Sequence, residues 1–182
     1  MGVIVVTGIP GVGKTTVMKK AAEGMAIEFV TFGTVMADIA IETGLVKNRD
    51  EMRKLTLEQQ KDLQIKSAEK VASMGNVILD THCTVKTPKG YMPGLPEGVL
   101  KRINPTAIVV VEADSEEIYN RRANDPSRNR DPDTIEQITE HQMMNRAVAM
   151  AYAALSGATV KIVFNHDNAI DAAVKQAVPV LR

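Results

Sequence analysis

Short apolar runs alternate along the chain with longer segments in which apolar positions recur at helical spacing. The runs predict strands over Val3–Val6, Ile27–Val30, Asn76–Asp80, Ala107–Val111 and Thr159–Val163. The periodic segments predict helices over Lys14–Glu23, Thr34–Glu42, Leu57–Met74, Asp133–Ser156 and Asn168–Val178, with another capped by Asp114 and its capping-box partner Glu117. Strands alternating with helices indicate βαβ units. We therefore expect an α/β protein of three layers (α/β/α), with a five-stranded parallel sheet flanked by helices, in a single domain over residues 1–182.

The longest predicted helix has one marked apolar row, which we expect to pack inward. Its members are Met144, Ala147, Val148, Ala151 and Leu155. Arg146 points to nearly the opposite side, which leaves it free to face either solvent or a neighbouring loop.

Composition narrows the classes of function. The 22 basic and 22 acidic residues give a formal net charge of zero, which argues against non-specific attraction to nucleic acid. The single cysteine, Cys83, excludes an intrachain disulfide and fits a reducing compartment. No signal peptide and no long apolar run is recognisable in the sequence. We expect a soluble, cytoplasmic protein without nucleic-acid or membrane partners.

A glycine-rich turn between the first predicted strand and helix satisfies the P-loop pattern in full. Its glycines allow backbone N–H groups to turn toward an anion, and the helix N-terminus adds positive potential. Lys14 is placed to reach the β- and γ-phosphates of a nucleoside triphosphate. The predicted ATP-binding residues are Gly8, Ile9, Pro10, Gly11, Val12, Gly13, Lys14, Thr15 and Thr16. The fold class is then that of the P-loop nucleoside triphosphate hydrolases.

Two residues are candidates for holding Mg²⁺. The Thr15 hydroxyl follows the P-loop lysine, where it can ligate the ion that accompanies ATP. Asp80 ends an apolar strand at the carboxyl edge of the sheet, where its carboxylate can hold the ion through water. The alternative is that Asp80 is a surface residue that starts a turn.

Four arginines cluster within ten residues, and two X-Pro steps, Asp125-Pro126 and Asp131-Pro132, bound a short loop that carries the last two. They are Arg121, Arg122, Arg128 and Arg130. Guanidinium groups match phosphate oxygens and neutralise the charge that develops during phosphoryl transfer. We predict that residues 124–134 form a short lid, with Lys14 and the four arginines as the catalytic cations. The alternative is a solvated loop whose arginines pair with Asp125, Asp131 and Asp133.

On the helix Leu57–Val71, Gln60 and Gln64 share a face with apolar residues. A glutamine that points inward must find a hydrogen-bond partner. Reading the edge of a nucleobase and capping a loop carbonyl are both possible.

Five strings in this order and spacing resemble the archaeal-type adenylate kinase family. They are GIPGVGKTT, FGTVM, LDTH, TPKGYMPGLP and RNRD. TPKGYMPGLP is the most specific; it covers most of Pro88–Gly98, a segment predicted to be a loop. The resemblance implies the reaction ATP + AMP ⇌ 2 ADP, a helical AMP-binding segment over residues 31–75, a short lid and a homotrimer.

The resemblance also implies where AMP binds. The candidates are Thr31, Gly33, Thr34, Met36, Arg53, Gln64, Gly90 and Tyr91. Two arginines that bind the AMP phosphate in bacterial adenylate kinases are missing, because Ala37 follows FGTVM and Thr81-His82 replace a Gly-Phe-Pro-Arg turn. Arg53 is our candidate replacement for the first. His82 is either a phosphate contact or a structural turn residue.

Two other functions fit a P-loop domain of this size. The first is a kinase with another small acceptor, such as another nucleoside monophosphate, shikimate or gluconate. The second is a nucleotide-dependent switch or assembly ATPase. A GTPase would need an Asn-Lys-x-Asp string after a later strand, and the nearest string, Asn165-His166-Asp167-Asn168, does not match it.

Overall fold

The central sheet of the computed structural model, which describes residues 2–125 and 133–182, has five parallel strands. Within these ranges the strands are β1 (Val3–Thr7), β2 (Glu28–Thr31), β3 (Val77–Asp80), β4 (Thr84–Thr87), β5 (Gly90–Pro93), β6 (Ala107–Glu112) and β7 (Thr159–Phe164). The sheet order is β2-β3-β1-β6-β7, while β4 and β5 form a separate antiparallel hairpin. The predicted five-stranded parallel sheet is confirmed.

Helices cover both faces of this sheet. They are α1 (Lys14–Ala21), α2 (Phe32–Glu42), α3 (Leu57–Ser73), α4 (Glu97–Ile103), α5 (Ser115–Ala123), α6 (Ile135–Ser156) and α7 (Ile170–Ala177), with 3₁₀ helices over Arg49–Lys54 and Val178–Val180. No helix in the described ranges combines the length and apolar character that crossing a membrane requires.

The strands of the sheet are buried on both faces, as their apolar runs predict. In β1, Val3 and Val5 belong to an apolar cluster with side chains of α2, α3, α4 and α6. Ile4 and Val6 belong to a second cluster, with side chains of α1 and α7. The alternation of side chains along a strand therefore produces the three predicted layers.

The register aligns the strand ends that carry polar residues. Val6 of β1 lies opposite Asp80 of β3, and Thr7 lies opposite Val110 of β6. The P-loop that follows Thr7 and the carboxylate of Asp80 therefore meet at one edge of the sheet, where open α/β sheets bind ligands.

The segment predicted as a loop over Pro88–Gly98 is more regular than expected. It contains β5, which pairs with β4 from Thr84↔Pro93 to Thr87↔Gly90, and the start of α4. A Cβ at Gly94 would overlap the carbonyl of His82, so the glycine permits a close approach of two backbones. The glycines and prolines here shape a hairpin and a helix start.

The predicted inward row of α6 is wrong. Leu155 is 70% exposed and Met144 is 37% exposed, whereas Val148 is partly buried. The buried face consists of Ile138, His141, Asn145, Ala149, Tyr152 and Ala153. The helix is apolar on both sides, and its outer face is not covered by the described residues.

Helix starts follow their capping residues. The capping box between Asp114 and Glu117 is present at α5, as predicted. The next long helix begins at Ile135 and not at Asp133, because the Thr134 hydroxyl accepts a hydrogen bond from Gln137 N–H. The Gln137 side chain in turn accepts from Thr134 N–H, and this second capping box fixes the start of α6.

Candidate active site

The P-loop connects the end of β1 to the start of α1. Gly11 and Gly13 have φ values of 96° and 79°, which lie in the left-handed region that favours glycine. A Cβ at Gly8 would lie 2.6 Å from the carbonyl oxygen of Val111. Helix α1 starts without a side-chain cap, so its first N–H groups can bind an anion in the loop.

Asp80 contacts both functional side chains at the start of α1. The Lys14 Nζ lies 3.5 Å from Asp80 Oδ1, and the Thr15 hydroxyl donates to Asp80 Oδ2 at 3.0 Å. Asp80 is 7% exposed. A carboxylate and a hydroxyl oxygen are therefore adjacent beside the P-loop lysine, and hard oxygen ligands of this kind suit Mg²⁺.

One continuous cleft of about 970 Å³ joins the P-loop to the segment after β2. Its lining from the P-loop side is Pro10, Gly11, Gly13, Lys14, Thr15 and Thr16. The opposite side is Thr31, Phe32, Gly33, Met36, Arg49 and Gln64, and the remainder is Asp80, Thr81, His82, Val85, Gly94 and Asp125. The cleft can thus receive two ligands that meet near Lys14 and Asp80.

The predicted AMP-binding residues divide into two groups. Thr31, Gly33, Met36 and Gln64 line the cleft, whereas Thr34, Arg53, Gly90 and Tyr91 do not. Gly90 and Tyr91 lie on the hairpin, where the Tyr91 ring lies 5.1 Å from the ring of His141 between centroids.

The two inward glutamines have different environments. Gln60 Nε2 donates to the carbonyl of Leu55 at 3.0 Å, so it caps a loop carbonyl. Gln64 lines the cleft, and its side chain has no hydrogen bond with any residue in 2–125 or 133–182. Gln64 is therefore available for a ligand.

Sequence reasoning missed Arg49 as a cleft residue. It opens the 3₁₀ helix Arg49–Lys54, whose first N–H groups are capped by Asn48. Within the described part of the chain, the Arg49 side chain has neither an ion pair nor a hydrogen bond, and one of its Nη atoms lies 3.6 Å from where a Gly33 Cβ would be. Arg53, four residues later, does not line the cleft. The sequence shows that both arginines flank the same acidic pair. It does not show which of the two faces the cleft, because that depends on how the short helix is rotated about its axis.

The arginine cluster is only partly described. Arg122 donates from Nε to the carbonyl of Pro10 at 2.8 Å and from Nη1 to Asp133 at 2.8 Å, so it lies directly on the P-loop. Arg121 pairs with Asp167 and donates to the carbonyl of Asn165. The predicted lid arginines, Arg128 and Arg130, lie outside the described residues.

Arg121 contacts the P-loop indirectly, through Asn165. The Asn165 side-chain amide donates to the carbonyl of Val12 at 2.8 Å, and Arg121 donates to the backbone of Asn165 at 2.8 Å. Arg121 does not line the cleft. This arrangement lets it support the loop through the end of β7.

A buried polar network lies under the site and was also missed. The hydroxyls of Thr7 and Thr84 both donate to Asn145 Oδ1, at 3.2 and 3.3 Å. His141 Nε2 is 3.1 Å from the Thr84 hydroxyl. The network joins the end of β1, the hairpin and α6, so it fixes three elements around the cleft.

Two histidines near the cleft favour the neutral form. Desolvation and the charge of Lys14 lower the pKa of His82 below its usual 6.5. Burial and the charge of Arg122 lower the pKa of His141. Both imidazoles therefore leave the positive charge of the site to lysine and arginine.

Cys83 and Arg146 have structural partners. Burial raises the pKa of the Cys83 thiol to about 12, which rules it out as a nucleophile near neutral pH. Arg146 forms a two-point ion pair with Glu112, which is 5% exposed. The Arg146 side chain is 48% exposed, so it faces solvent, as one of the two expected orientations has it, while its guanidinium also neutralises the buried carboxylate of Glu112.

Comparisons with known proteins agree with this geometry. A family model described as AAA domain matches residues 7–139. An adenylate kinase of Methanothermobacter thermautotrophicus is 50% identical over 184 residues, covering 100% of both chains. An adenylate kinase of Methanococcus vannielii is 52% identical over 188 residues, covering 99% of this chain and 98% of the relative.

A solved structure with little sequence identity has the same fold. The shikimate kinase of Bacteroides thetaiotaomicron superposes with a TM-score of 0.63 at 12% identity, covering 99% of this chain and 98% of that chain. At this identity the similarity concerns the fold alone. The relatives that are half identical extend over the full length, and they confirm the resemblance found in the sequence. The chain therefore belongs to the archaeal-type adenylate kinase family, within the broader family that the AAA domain model describes.

Proposed function

We propose that the protein catalyses ATP + AMP ⇌ 2 ADP, with ATP bound as its magnesium complex. One observation carries the proposal: a single cleft is lined on one side by the P-loop and on the other by the segment that follows β2. Phosphoryl transfer requires donor and acceptor to be held in line with charge neutralised between them. A cleft that extends from the P-loop and Lys14 to this second segment meets that requirement.

The donor end uses the residues from Gly8 to Thr16. Backbone N–H groups bind the phosphates. Lys14 exchanges its contact with Asp80 for the transferred phosphoryl group and stabilises the negative charge that develops on it. Thr15 and Asp80 would hold Mg²⁺, Asp80 through water. When bound, the ion would neutralise charge on the β- and γ-phosphate oxygens.

The acceptor end holds AMP between α2 and α3. Gln64 is unpaired and lies in the cleft, so it is our first candidate for reading the adenine edge. Arg49 is the cation that lies closest to this end among the cleft residues, and we assign it the AMP phosphate in preference to Arg53. Thr34, Gly90 and Tyr91 remain predictions that would require movement of the surrounding segments.

The arginine cluster completes the charge neutralisation. Arg122 lies on the P-loop, where it can follow the transferred phosphoryl group. Arg121 supports the same loop through Asn165. Arg128 and Arg130 would act from a short lid over residues 124–134, which would exclude water from the triphosphate.

Product analysis tests the reaction directly. ATP is mixed separately with AMP, GMP, CMP, UMP, shikimate, gluconate and water, and the nucleotides are then separated. We expect ADP to accumulate far faster with AMP than with any other acceptor, because a mismatched base leaves a buried polar group unpaired. Equal rates with AMP and CMP would contradict the assignment of AMP. Slow hydrolysis without any acceptor dependence would favour the switch ATPase.

We also propose a homotrimer located in the cytoplasm. The outer face of α6 exposes apolar side chains, among them Met143 at 68%, Met150 at 55% and Leu155 at 70%. An exposed group of large apolar side chains of this kind is typical of a surface covered by another subunit. The resemblance to the family supplies the number of copies.

A further inference from the structure

A second cavity of about 590 Å³ opens beside the nucleotide cleft and shares Pro10, His82 and Val85 with it. The hairpin supplies Thr84, Lys86, Thr87 and Pro88 to its wall, and the helices supply Arg122, Asp133 and His141. The cavity therefore adjoins the P-loop, on the side where the hairpin faces α5 and α6.

The described lining of this cavity carries a positive excess. Lys86 and Arg122 are cations, whereas Asp133 is the only carboxylate. His82 and His141 are predominantly neutral near pH 7, because desolvation lowers the pKa of each. A cavity with this balance attracts an anion.

Asp133 bridges the two cations. Its Oδ1 accepts from Lys86 Nζ at 2.6 Å, and its Oδ2 accepts from Arg122 Nη1 at 2.8 Å. Burial alone would raise the pKa of Asp133, but the hydrogen bonds from Lys86 and Arg122 hold it below its ordinary value. Two oxygens on one atom thus bind the two cations separately, which is the arrangement that two oxygens of a phosphoryl group also offer.

The Lys86–Asp133 contact is easily exchanged. The side chain of Lys86 is 36% exposed and that of Asp133 is 21% exposed. Ion pairs with this exposure contribute little to stability, and a lysine ammonium on its flexible stem can change partners without moving the backbone. Arg122 keeps its second contact, to the carbonyl of Pro10, when Asp133 is released.

We propose that Lys86 is a further catalytic residue, which exchanges Asp133 for an oxygen of the phosphoryl groups in the adjoining cleft. Asp133 is a positioning residue that holds the ammonium beside Arg122 until phosphate arrives. The proposal rests on the proposed phosphoryl transfer, and it adds a cation from the hairpin to those of the P-loop and α5.

The test compares Lys86→Met with Lys89→Met. Lys89 lies on the turn of the same hairpin and lines neither cavity, so its substitution controls for the loss of one positive charge. We expect Lys86→Met to lower kcat about tenfold or more, with an unchanged melting temperature, and Lys86→Arg to recover most of the rate. Equal rates in Lys86→Met and Lys89→Met would overturn the proposal.

A second measurement distinguishes phosphate binding by Lys86 from a purely structural role of the Lys86–Asp133 ion pair. Asp133→Asn removes the carboxylate that pairs with both Lys86 and Arg122 but leaves both cations in place. If Lys86 binds phosphate, Asp133→Asn loses less activity than Lys86→Met. If the ion pair only supports the hairpin, Asp133→Asn loses at least as much activity and melting temperature as Lys86→Met, and the proposal is wrong.

Calorimetric titration with inorganic tripolyphosphate makes the result independent of the acceptor. We expect Lys86→Met to bind this probe more weakly than the parent, and Lys89→Met to bind it equally well. The proposed reaction fails if the parent transfers no phosphate to AMP. The role of Lys86 fails if tripolyphosphate binding is the same in Lys86→Met and in the parent.

Discussion

At the scale of single residues, the cations of the cleft differ in whether they have partners. Lys14 lies 3.5 Å from Asp80, whereas Arg49 has no ion pair with any residue in the described ranges. A paired lysine exchanges its carboxylate for a phosphate when the nucleotide binds, so its net contribution to binding is small. Its contribution is largest in the transition state, where additional negative charge develops. An unpaired arginine gains the full charge-assisted contact on binding. We therefore expect Lys14 to affect turnover and Arg49 to affect affinity.

Substitution of Lys14 tests the first expectation. Lys14→Ala should lower kcat by about 10²–10³, the usual cost of removing one charge-stabilising contact in a transition state. The far-ultraviolet circular dichroism should stay unchanged, since the Lys14 side chain contributes little apolar burial. Stopped assays of ADP formation measure the rate. A variant that keeps most of its activity would refute the role of the P-loop lysine.

Arg49 and Arg53 form a matched pair, because they lie four residues apart on one short helix. Arg49→Ala should raise the KM for AMP by about tenfold to a hundredfold, the range for one hydrogen bond to a charged group. The KM for ATP should stay constant, and Arg53→Ala should change neither constant. Initial rates at varied AMP and ATP concentrations give the KM for each nucleotide in each of the two variants. The reverse result would assign the phosphate to Arg53.

At the scale of elements, the buried network ties β1, the hairpin and α6 into one support for the cleft. Asn145 accepts from both Thr7 and Thr84, and Tyr152 donates to the carbonyl of Cys83. These contacts hold Thr84 and its hairpin against α6. The hairpin therefore cannot move away from α6 without breaking these buried hydrogen bonds.

His141, which belongs to this network, gives the protein a specific dependence on pH. Its pKa is lowered from 6.5, so between that lowered pKa and 6.5 the unfolded chain binds a proton that the folded chain does not. The free energy of unfolding should therefore fall as the pH drops below about 6.5. His141→Gln should show a shallower fall, and the fall that remains belongs to His82 and, toward pH 5, to carboxyl groups whose pKa is lowered, such as Glu117. Denaturant titrations from about pH 7 to about pH 5 measure the slopes. Identical slopes in parent and variant would contradict this account.

The sequence predicted the P-loop, the strand order along the chain and the Asp80 position, because each depends on a local pattern with a fixed spacing. It failed on α6 for a physical reason. That helix is apolar on both sides, and its buried face includes the polar residues His141 and Asn145, which hydropathy assigns to the surface. Only partners that are distant in sequence, such as Thr7 and Thr84, make their burial favourable.

The acceptor side was predictable only in part, for a related reason. Gln64 follows from helical periodicity and lines the cleft. The choice between Arg49 and Arg53 depends on how a short 3₁₀ helix is rotated against α2, which tertiary contacts decide. The hairpin was hidden because glycine and proline are typical of loops as well as of tight strand pairs.

At the scale of the whole molecule, the exposed face of α6 is the surface that should decide assembly. Its residues Met143, Met150 and Leu155 stand apart from the nucleotide cleft, which lies at the carboxyl edge of the sheet. Association through α6 would therefore leave every cleft open to substrate. It would also enclose the Arg146–Glu112 ion pair, because both residues line the shallow groove on this face.

The oligomeric state can be tested by introducing one charged residue on this face of α6. The parent should sediment at about three times the 19.8 kDa of one chain, and Met150→Glu should sediment as a monomer, since a buried carboxylate at the interface lacks a partner. Leu57→Glu is the control, because Leu57 is 77% exposed on α3. It should leave the assembly intact. A monomeric parent at micromolar concentration would remove the trimer.

The burial of Cys83 makes the protein a convenient subject for thiol chemistry. The side chain is fully buried, and its pKa of about 12 leaves almost no thiolate at neutral pH. A thiol reagent should therefore modify it only when the core around β3 opens, so the labelling rate reports the free energy of that opening. A cysteine introduced on the surface would react much sooner, so fluorescent dyes can be attached to this protein without replacing the native residue.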